Sequence, residues 1–488
     1  MSYAETPWDG DKLHEECGVF GVFGAEAGDA SALVALGLHA LQHRGQEAAG
    51  IVSYDADSGQ FYNERRIGLV RDRFTSKGVI ARLPGYNAIG HNRYSTSGAK
   101  GITALRDVQP LFVEFAPGGC ALAHNGNITN AAALKRDLVQ RGSIFQSSSD
   151  TECIIHLMAR SVQRGIVERM KEALRAVEGA FSIVAMTRTK MIGVRDPRGV
   201  RPLVLGRFGS AHVLASETCA LDIIGAEHVR DIEPGEMVVV TDAGVQSVRP
   251  FENEASKFCI FEHVYFSRPD SRIGGLSVYE TRRRIGVELA REAPVEADIV
   301  CPVPDSGTPA AIGFAHESGL PFAFGVIRNQ YTGRTFIEPT DHIRNLGVKL
   351  KLNVNRATVE GKRVVLVDDS VVRGTTSVKI MQMVRDAGAK EVHFRIASPP
   401  TSWPCFYGVD TPERSKLLAS RMTVEEMRDH IGVDSLSFVS MDGLYRACQE
   451  PGRNAESPQY CDACFTGEYP VEPADAVESG LPLRIAAE

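Results

Sequence analysis

The chain has 488 residues, of which 54 are Lys or Arg and 61 are Asp or Glu, a formal charge of -7. This length, with 43% hydrophobic and 24% charged residues, fits a globular protein of two or three domains, and the negative balance repels a polyanion, which argues against nucleic acid as a partner. No run of about 18 apolar residues offers a membrane span, and the first stretch lacks the apolar core of a secretory signal.

A cytoplasmic protein with no membrane partner is therefore expected. In that reducing compartment the ten cysteines serve as buried thiols, metal ligands or nucleophiles rather than as disulfides.

Taken in order, the chain opens on the polar "MSYAETPWDGDKLHEE" and runs from Cys17 into "CGVFGVFG", a Gly-punctuated apolar strand. "DASALVALGLHALQHRG" follows with helical spacing, Asp29 or Ser31 as its N-cap and a stop near Gly45. To about residue 245, strands such as the turn-linked pair in "FSIVAMTRTKMIGVRD" alternate with helices such as "TECIIHLMARSVQRG". The pattern predicts sheets covered by helices. The polar "RPFENEASK" (249–257) reads as a linker.

Beyond it lie a helix, "VYETRRRIGVELARE", and three strand-like runs, "ADIVCPVPD", "FAFGVIRN" and "KRVVLVDDS". They predict a parallel, doubly wound α/β sheet with its ligands at the carboxyl ends of the strands. From 471 to 488 the composition turns Pro-, Ala- and Glu-rich, and a flexible tail is expected.

The most specific string is "VVLVDDSVVRGTTS" (364–377), an apolar strand that meets two carboxylates, a Gly- and hydroxyl-rich turn and then a helix. Free amides and the helix dipole at such a start hold a phosphate, and the acidic pair suits vicinal hydroxyls or a hard cation. The bland alternative, a solvated acidic turn, does not account for the four features together. The string resembles the ribose-phosphate loop of type I phosphoribosyltransferases.

That resemblance implies that Asp368 and Asp369 bind the ribose hydroxyls and one Mg ion, and that Ser370, Arg373, Gly374, Thr375 and Thr376 wrap the 5-phosphate. It also implies a pyrophosphate loop, matched by Asp305, Ser306 and Gly307 in "PVPDSGTPAA", with Ser306 as a further Mg contact. On its own Pro-Asp-Ser-Gly is equally a turn. The basic, aperiodic stretch 328–353 reads either as an exposed loop or as a lid over the diphosphate, with Arg334 and Lys351 as its cations.

In the first half, "ECGVFG", "LQHRGQEAAGI", "HNRYSTSG", "AHNGNITN" and "SSSDTE" occur in order. Individually each has a plain reading: Cys17 as a small buried thiol, Asn125-Gly126 as a turn, Asp150 as a helix cap. Together they resemble the N-terminal-nucleophile glutaminase domain, an αββα sandwich, over residues 17–245.

The resemblance implies that residues 1–16 are a propeptide, and that the freed amine of Cys17 serves as base to its own thiol. It further implies that the Asn125 side chain and Gly126 N–H form an oxyanion hole, and that Arg93 and Thr96 hold the glutamine carboxylate and Asp150 its ammonium.

Glutaminase followed by ribose-phosphate loop resembles the glutamine phosphoribosylpyrophosphate amidotransferase family over nearly the whole chain, with the second domain at 258–470. The family implies phosphoribosylamine synthesis, the committed step of purine synthesis, in a homotetramer inhibited by purine nucleotides such as AMP, GMP, ADP and GDP. Cys259, Cys405, Cys461 and Cys464 stand in contexts that look like its 4Fe-4S ligands, with zinc an alternative that four thiolates suit equally. Cys120, Cys153, Cys219, Cys301 and Cys448 read as core thiols. A phosphoribosylpyrophosphate-sensing regulator would carry damaged glutaminase residues, and another N-terminal-cysteine amidotransferase would need no ribose-phosphate loop.

Overall fold

The computed structural model describes residues 17–74, 76–94, 102–116, 118–329, 351–478 and 484–485. The first domain is built on two antiparallel sheets. Its strands are β1 (Gly18–Phe23), β2 (Ala48–Asp55), β3 (Gln60–Ile67), β4 (Asn87–Arg93), β5 (Leu111–Phe115), β6 (Gly118–Ile128), β7 (Gly179–Thr187), β8 (Met191–Arg195), β9 (Val204–Phe208), β10 (Ala211–Ala215), β11 (Glu227–Asp231), β12 (Met237–Thr241) and β13 (Gly244–Val248).

One sheet has the order β11-β9-β10-β1-β4-β2-β3 and the other β13-β12-β8-β7-β6-β5. The second thus takes in a hairpin strand that runs past the expected boundary at residue 245.

Every residue of β1 is buried, as a central strand covered on both faces requires. Val19, Ile89, Ala121, Ala123 and Val184 pack between the sheets. Phe20 and Ala49 face helix α1 (Ala30–Ala40), and Leu122 and Ile183 face α3 (Thr151–Arg160) and α4 (Ile166–Arg175), with α2 (Ala131–Gln140) alongside. The result is helix, sheet, sheet, helix. Helix α1 begins after Asp29 but ends at Ala40, short of Gly45. A Cβ on Gly45 would stand 2.7 Å from the Asn92 carbonyl carbon, so the chain leaves the helix to pass under β4.

In the second domain β14 (Ile299–Pro302), β15 (Arg363–Asp368), β16 (Glu391–Ile396) and β17 (Ser435–Phe438) form a parallel sheet in that order. Helices α5 (Val278–Glu292) and α6 (Thr308–Ser318) cover one face, and α7 (Thr375–Asp386) and α8 (Val424–Ile431) the other. The expected strand in "FAFGVIRN" touches this sheet only at its start, where Phe322 bridges Val300 of β14 in parallel. Val326–Arg328 pairs instead with Leu352–Val354, antiparallel, which sets Asn329 beside Lys351.

The expectation of a flexible tail does not describe residues 471–478. Ala474–Glu478 is helical, and the Asp475 carboxylate accepts from Ala132 N at 2.8 Å and Ala133 N at 3.3 Å. A carboxylate on the free amides and dipole of α2 holds a segment whose composition alone reads as disordered.

Candidate active site

Strand alternation sends Val19 and Ile89 inward from one sheet and Ala121 and Ala123 inward from the other. The same parity puts Cys17, Arg93 and Asn125 on the inner faces. Gly18 pairs with Asn92, which sets Cys17 opposite Arg93, and His91 of β4 reaches the His124 carbonyl of β6 at 3.1 Å. All three side chains therefore stand at one end of the sandwich. Cys17 is half-buried, its thiol 3.9 Å from the Tyr94 carbonyl oxygen.

Asn125 is fully buried, yet neither its amide nitrogen nor its oxygen has a hydrogen-bond partner among the described residues. Such groups are costly to leave unsatisfied and mark a place where a ligand completes the bonding. Gly126 has φ +139, and a Cβ there would overlap the Ala180 carbonyl oxygen; only glycine fits.

Arg93 is buried and meets Asp107 Oδ2 at 3.3 Å, and Asp107 in turn accepts from Ser148 N and Oγ at 2.8 and 2.7 Å. Asp150 does cap a helix, accepting from Thr151 N at 2.7 Å, and it also accepts from Ile128 N at the end of β6 at 3.0 Å. That second bond ties it to the strand carrying Asn125. Thr96 lies outside the described residues.

In the second domain Asp368 ends β15 and Asp369 follows, both buried. Asp368 Oδ1 accepts from Asp369 N at 2.9 Å and Asp369 Oδ1 from Ser370 Oγ at 2.6 Å. Gly374, at φ +81, is the N-cap of α7, which begins at Thr375, so the helix amides open onto the turn containing Arg373, Thr375 and Thr376. A Cβ on Gly307 would overlap Val367 O and stand 3.1 Å from Asp368 Cα. This contact lays the Asp305-Ser306-Gly307 loop directly on the acidic pair, at the carboxyl ends of the adjacent strands β14 and β15. Asp305 pairs with Arg328 in solvent at 2.5 Å. Lys351 is exposed beside the paired strands, its carbonyl accepting from Asn329 N at 2.8 Å; Arg334 lies outside the described residues.

The four cysteines singled out come together. Phe258–Cys259 pairs parallel with Tyr460–Cys461, in register at Cys259 and Cys461, and all four line one cavity of about 20 Å³ with Phe261, Phe266 and Tyr407. Burial pushes the Cys259 thiol up to about 12, and burial with the neighbouring sulfurs pushes Cys461 and Cys464 well above the usual thiol range. Thiols gathered this way favour a positive partner that stabilises thiolate. Among the described residues no three His, Cys, Asp or Glu side chains converge to hold a single ion. Cys120, Cys153, Cys219, Cys301 and Cys448 are buried elsewhere.

A set of buried charges at the domain junction escaped the sequence reading. Arg44 is 1% exposed and pairs with Glu217 and, at 2.6 Å, with Glu262 of the second domain. Arg201 meets Glu262 at 3.2 Å and donates twice to the Tyr407 carbonyl at 2.9 Å, in the wall of the cysteine cavity. Burial alone would raise both carboxyls; Arg44 with His43 at Glu217, and Arg44 with Arg201 at Glu262, override it and hold both below the usual range. The string "LQHRG" contained Arg44, but a charged residue there reads as surface.

The fold and these two sites define a glutaminase of the N-terminal-nucleophile class joined to a phosphoribosyltransferase. Residues 91–222 match the glutamine amidotransferase domain family. The amidophosphoribosyltransferase of Rhizobium etli is 56% identical over 96% of this chain and 95% of its own length, and that of Bacillus subtilis 48% identical over 94% and 95%. A solved glutamine phosphoribosylpyrophosphate amidotransferase from B. subtilis, complexed with ADP and GMP, superimposes with a TM-score of 0.87 at 47% identity, covering 94% of this chain and 98% of that one. The chain belongs to the amidophosphoribosyltransferase family.

Among the described residues no helix is long and apolar enough to cross a membrane.

Proposed function

We propose that the chain converts glutamine, phosphoribosylpyrophosphate and water to 5-phosphoribosylamine, glutamate and pyrophosphate, the committed step of purine synthesis. What carries this reading is the presence of both half-sites on one chain: the inward-facing Cys17, Arg93 and Asn125, and the Asp368-to-Thr376 turn at the head of a helix.

Cys17 Sγ attacks the glutamine carboxamide. The proton goes to its own α-amine, whose pKa of about 7.7 to 8.0 suits neutral pH, after residues 1–16 are removed; an intact peptide nitrogen at Cys17 cannot accept it. The Asn125 amide and Gly126 N–H stabilise the oxyanion, Arg93 and Thr96 orient the carboxylate by charge-assisted bonds, and Asp150 takes the ammonium. The intermediate collapses with cleavage of its C–N bond, the α-amine returning the proton to the departing ammonia, and water hydrolyses the resulting glutamyl thioester to glutamate and free thiol; ammonia reaches C1 of the ribose through the interior and displaces pyrophosphate.

At the second site Ser370 and Arg373 to Thr376 hold the 5-phosphate, Asp368 and Asp369 the ribose hydroxyls, and Asp305 to Gly307 the diphosphate, with Arg334 and Lys351 on the lid. The buried carboxylates of Asp368 and Asp369 and the half-buried Ser306 hydroxyl would suit a Mg ion, which would neutralise charge on the departing pyrophosphate.

Cys259, Cys405, Cys461 and Cys464 would hold a structural 4Fe-4S cluster. Their four thiols line one largely apolar cavity, a donor set that would suit such a cluster and that zinc, the alternative, would also accept. Inhibition by purine nucleotides fits the relative solved with ADP and GMP; a homotetramer in the cytoplasm completes the proposal.

Purified anaerobically and given amide-¹⁵N glutamine with phosphoribosylpyrophosphate, the protein should release pyrophosphate and form ¹⁵N-phosphoribosylamine. Glutamate without pyrophosphate would reject the coupled reaction. Intact mass starting at Cys17 tests the cleavage, and iron with sulfide, rather than zinc, tests the cluster.

A further inference from the structure

Behind the proposed oxyanion donors runs a buried polar network that the reaction steps above do not use. Gln109 Oε1 accepts from His124 N at 2.7 Å, and its Nε2 donates to Thr151 Oγ at 3.0 Å. The His124 carbonyl accepts from His91 Nε2 at 3.1 Å, and since a carbonyl only accepts, that nitrogen carries the proton. Thr151 Oγ stands 3.1 Å from His124 Nδ1 and 3.2 Å from Asp150 Oδ1. His91, Gln109, His124 and Thr151 are all buried.

Buried polar groups ordinarily find partners; the unusual feature here is the convergence. His124, peptide-bonded to Asn125, is held at its N–H from the loop before β5, at its carbonyl from the facing sheet and at its ring from helix α3. No flexible group intervenes between this residue and the two oxyanion donors. The same Thr151 hydroxyl touches Asp150, so one network spans the oxyanion strand and the ammonium anchor. Burial holds His91 down at about 3, so it stays neutral and its single proton stays committed to that carbonyl.

We propose that Gln109, His91 and Thr151 are positioning residues for glutamine hydrolysis, which clamp His124 and so fix Asn125 and Gly126 against the oxyanion and at constant spacing from Asp150. This rests on the roles assigned above to Cys17, Asn125 and Asp150.

The test compares Gln109→Leu, Thr151→Val and Thr151→Ser with the parent, each assayed with glutamine and with free ammonia. An oxyanion strand displaced by about 1 Å should lower glutamine-dependent kcat about 30- to 100-fold in Gln109→Leu and about tenfold in Thr151→Val. KM should stay within about threefold and the ammonia-dependent rate should be unchanged, while Thr151→Ser, which keeps the hydroxyl, restores the parent rate. The proposal is overturned by glutamine kcat within threefold of the parent in both disruptive variants, or by parallel falls with both nitrogen sources in both of them, the mark of a merely structural role. Cys17→Ala is run alongside: glutamine-dependent synthesis in that variant would sink the nucleophile assignment itself, whereas its loss together with full kcat in both Gln109→Leu and Thr151→Val would sink the positioning network alone.

Discussion

In the second domain the acidic pair, the phosphate turn and the helix behind it come from one stretch, residues 364–377. In the first domain Cys17 comes from a strand start, Arg93 from the end of the next strand in the sheet, Asn125 from the facing sheet and Asp150 from a helix cap. A contiguous site is positioned by local geometry, because a strand, a turn and a helix carry their ligands with them. A dispersed site depends on sheet register and on how the two sheets stack, so its precision must come from buried polar contacts. The Gln109–His124–Thr151 network and the Arg44–Glu262 junction are of that kind.

If the contiguous loop serves synthesis from any nitrogen source, replacing both Asp368 and Asp369 with Asn should lower the rate with glutamine and with ammonia alike. The fall should be about 1000-fold, since the pair supplies several kcal/mol of charge stabilisation with its cation. Steady-state assays with each source check it, and a fall confined to glutamine would reverse the assignment of the two sites. The dispersed site predicts the opposite selectivity. Asn125→Ala should cost about 100- to 1000-fold in kcat with glutamine and leave the ammonia rate intact.

The junction should respond in stability before it responds in chemistry. Arg44→Met leaves two buried carboxylates short of their cation and should destabilise the protein by about 3 to 5 kcal/mol, measured by urea denaturation. The effect on the ammonia rate of the folded variant should be small.

The smallest effect is in pH. His91 and His263 are held by burial near 3 and 4, against about 6.5 unfolded. Below pH 6.5 the unfolded chain binds protons that the folded chain does not, so this contribution is complete above 6.5 and is lost as pH falls towards those folded values. The melting temperature should therefore drop between pH 6.5 and 5, with a shallower slope in His263→Phe.

The same contrast explains what the sequence made legible. "VVLVDDSVVRGTTS" showed its strand, turn and helix directly, and the five glutaminase strings located Cys17, Arg93, Asn125 and Asp150 through their resemblance to a known domain. The partners of Arg44 lie 173 and 218 residues away, a separation at which no spacing rule connects them, and a charged residue in isolation reads as solvated. The run "FAFGVIRN" reads as one strand of the main sheet, yet it meets that sheet only at Phe322 and pairs through Val326–Arg328 elsewhere, because an apolar run does not reveal its partner. The tail reads as loose because one carboxylate on a helix start, Asp475, leaves no trace in composition.

The separability of the two sites is tested most directly by Cys17→Ala. Purified and assayed with phosphoribosylpyrophosphate, it should make no phosphoribosylamine from glutamine yet match the parent enzyme with ammonia. Equal loss with both nitrogen sources, or persistence with glutamine, would contradict the account.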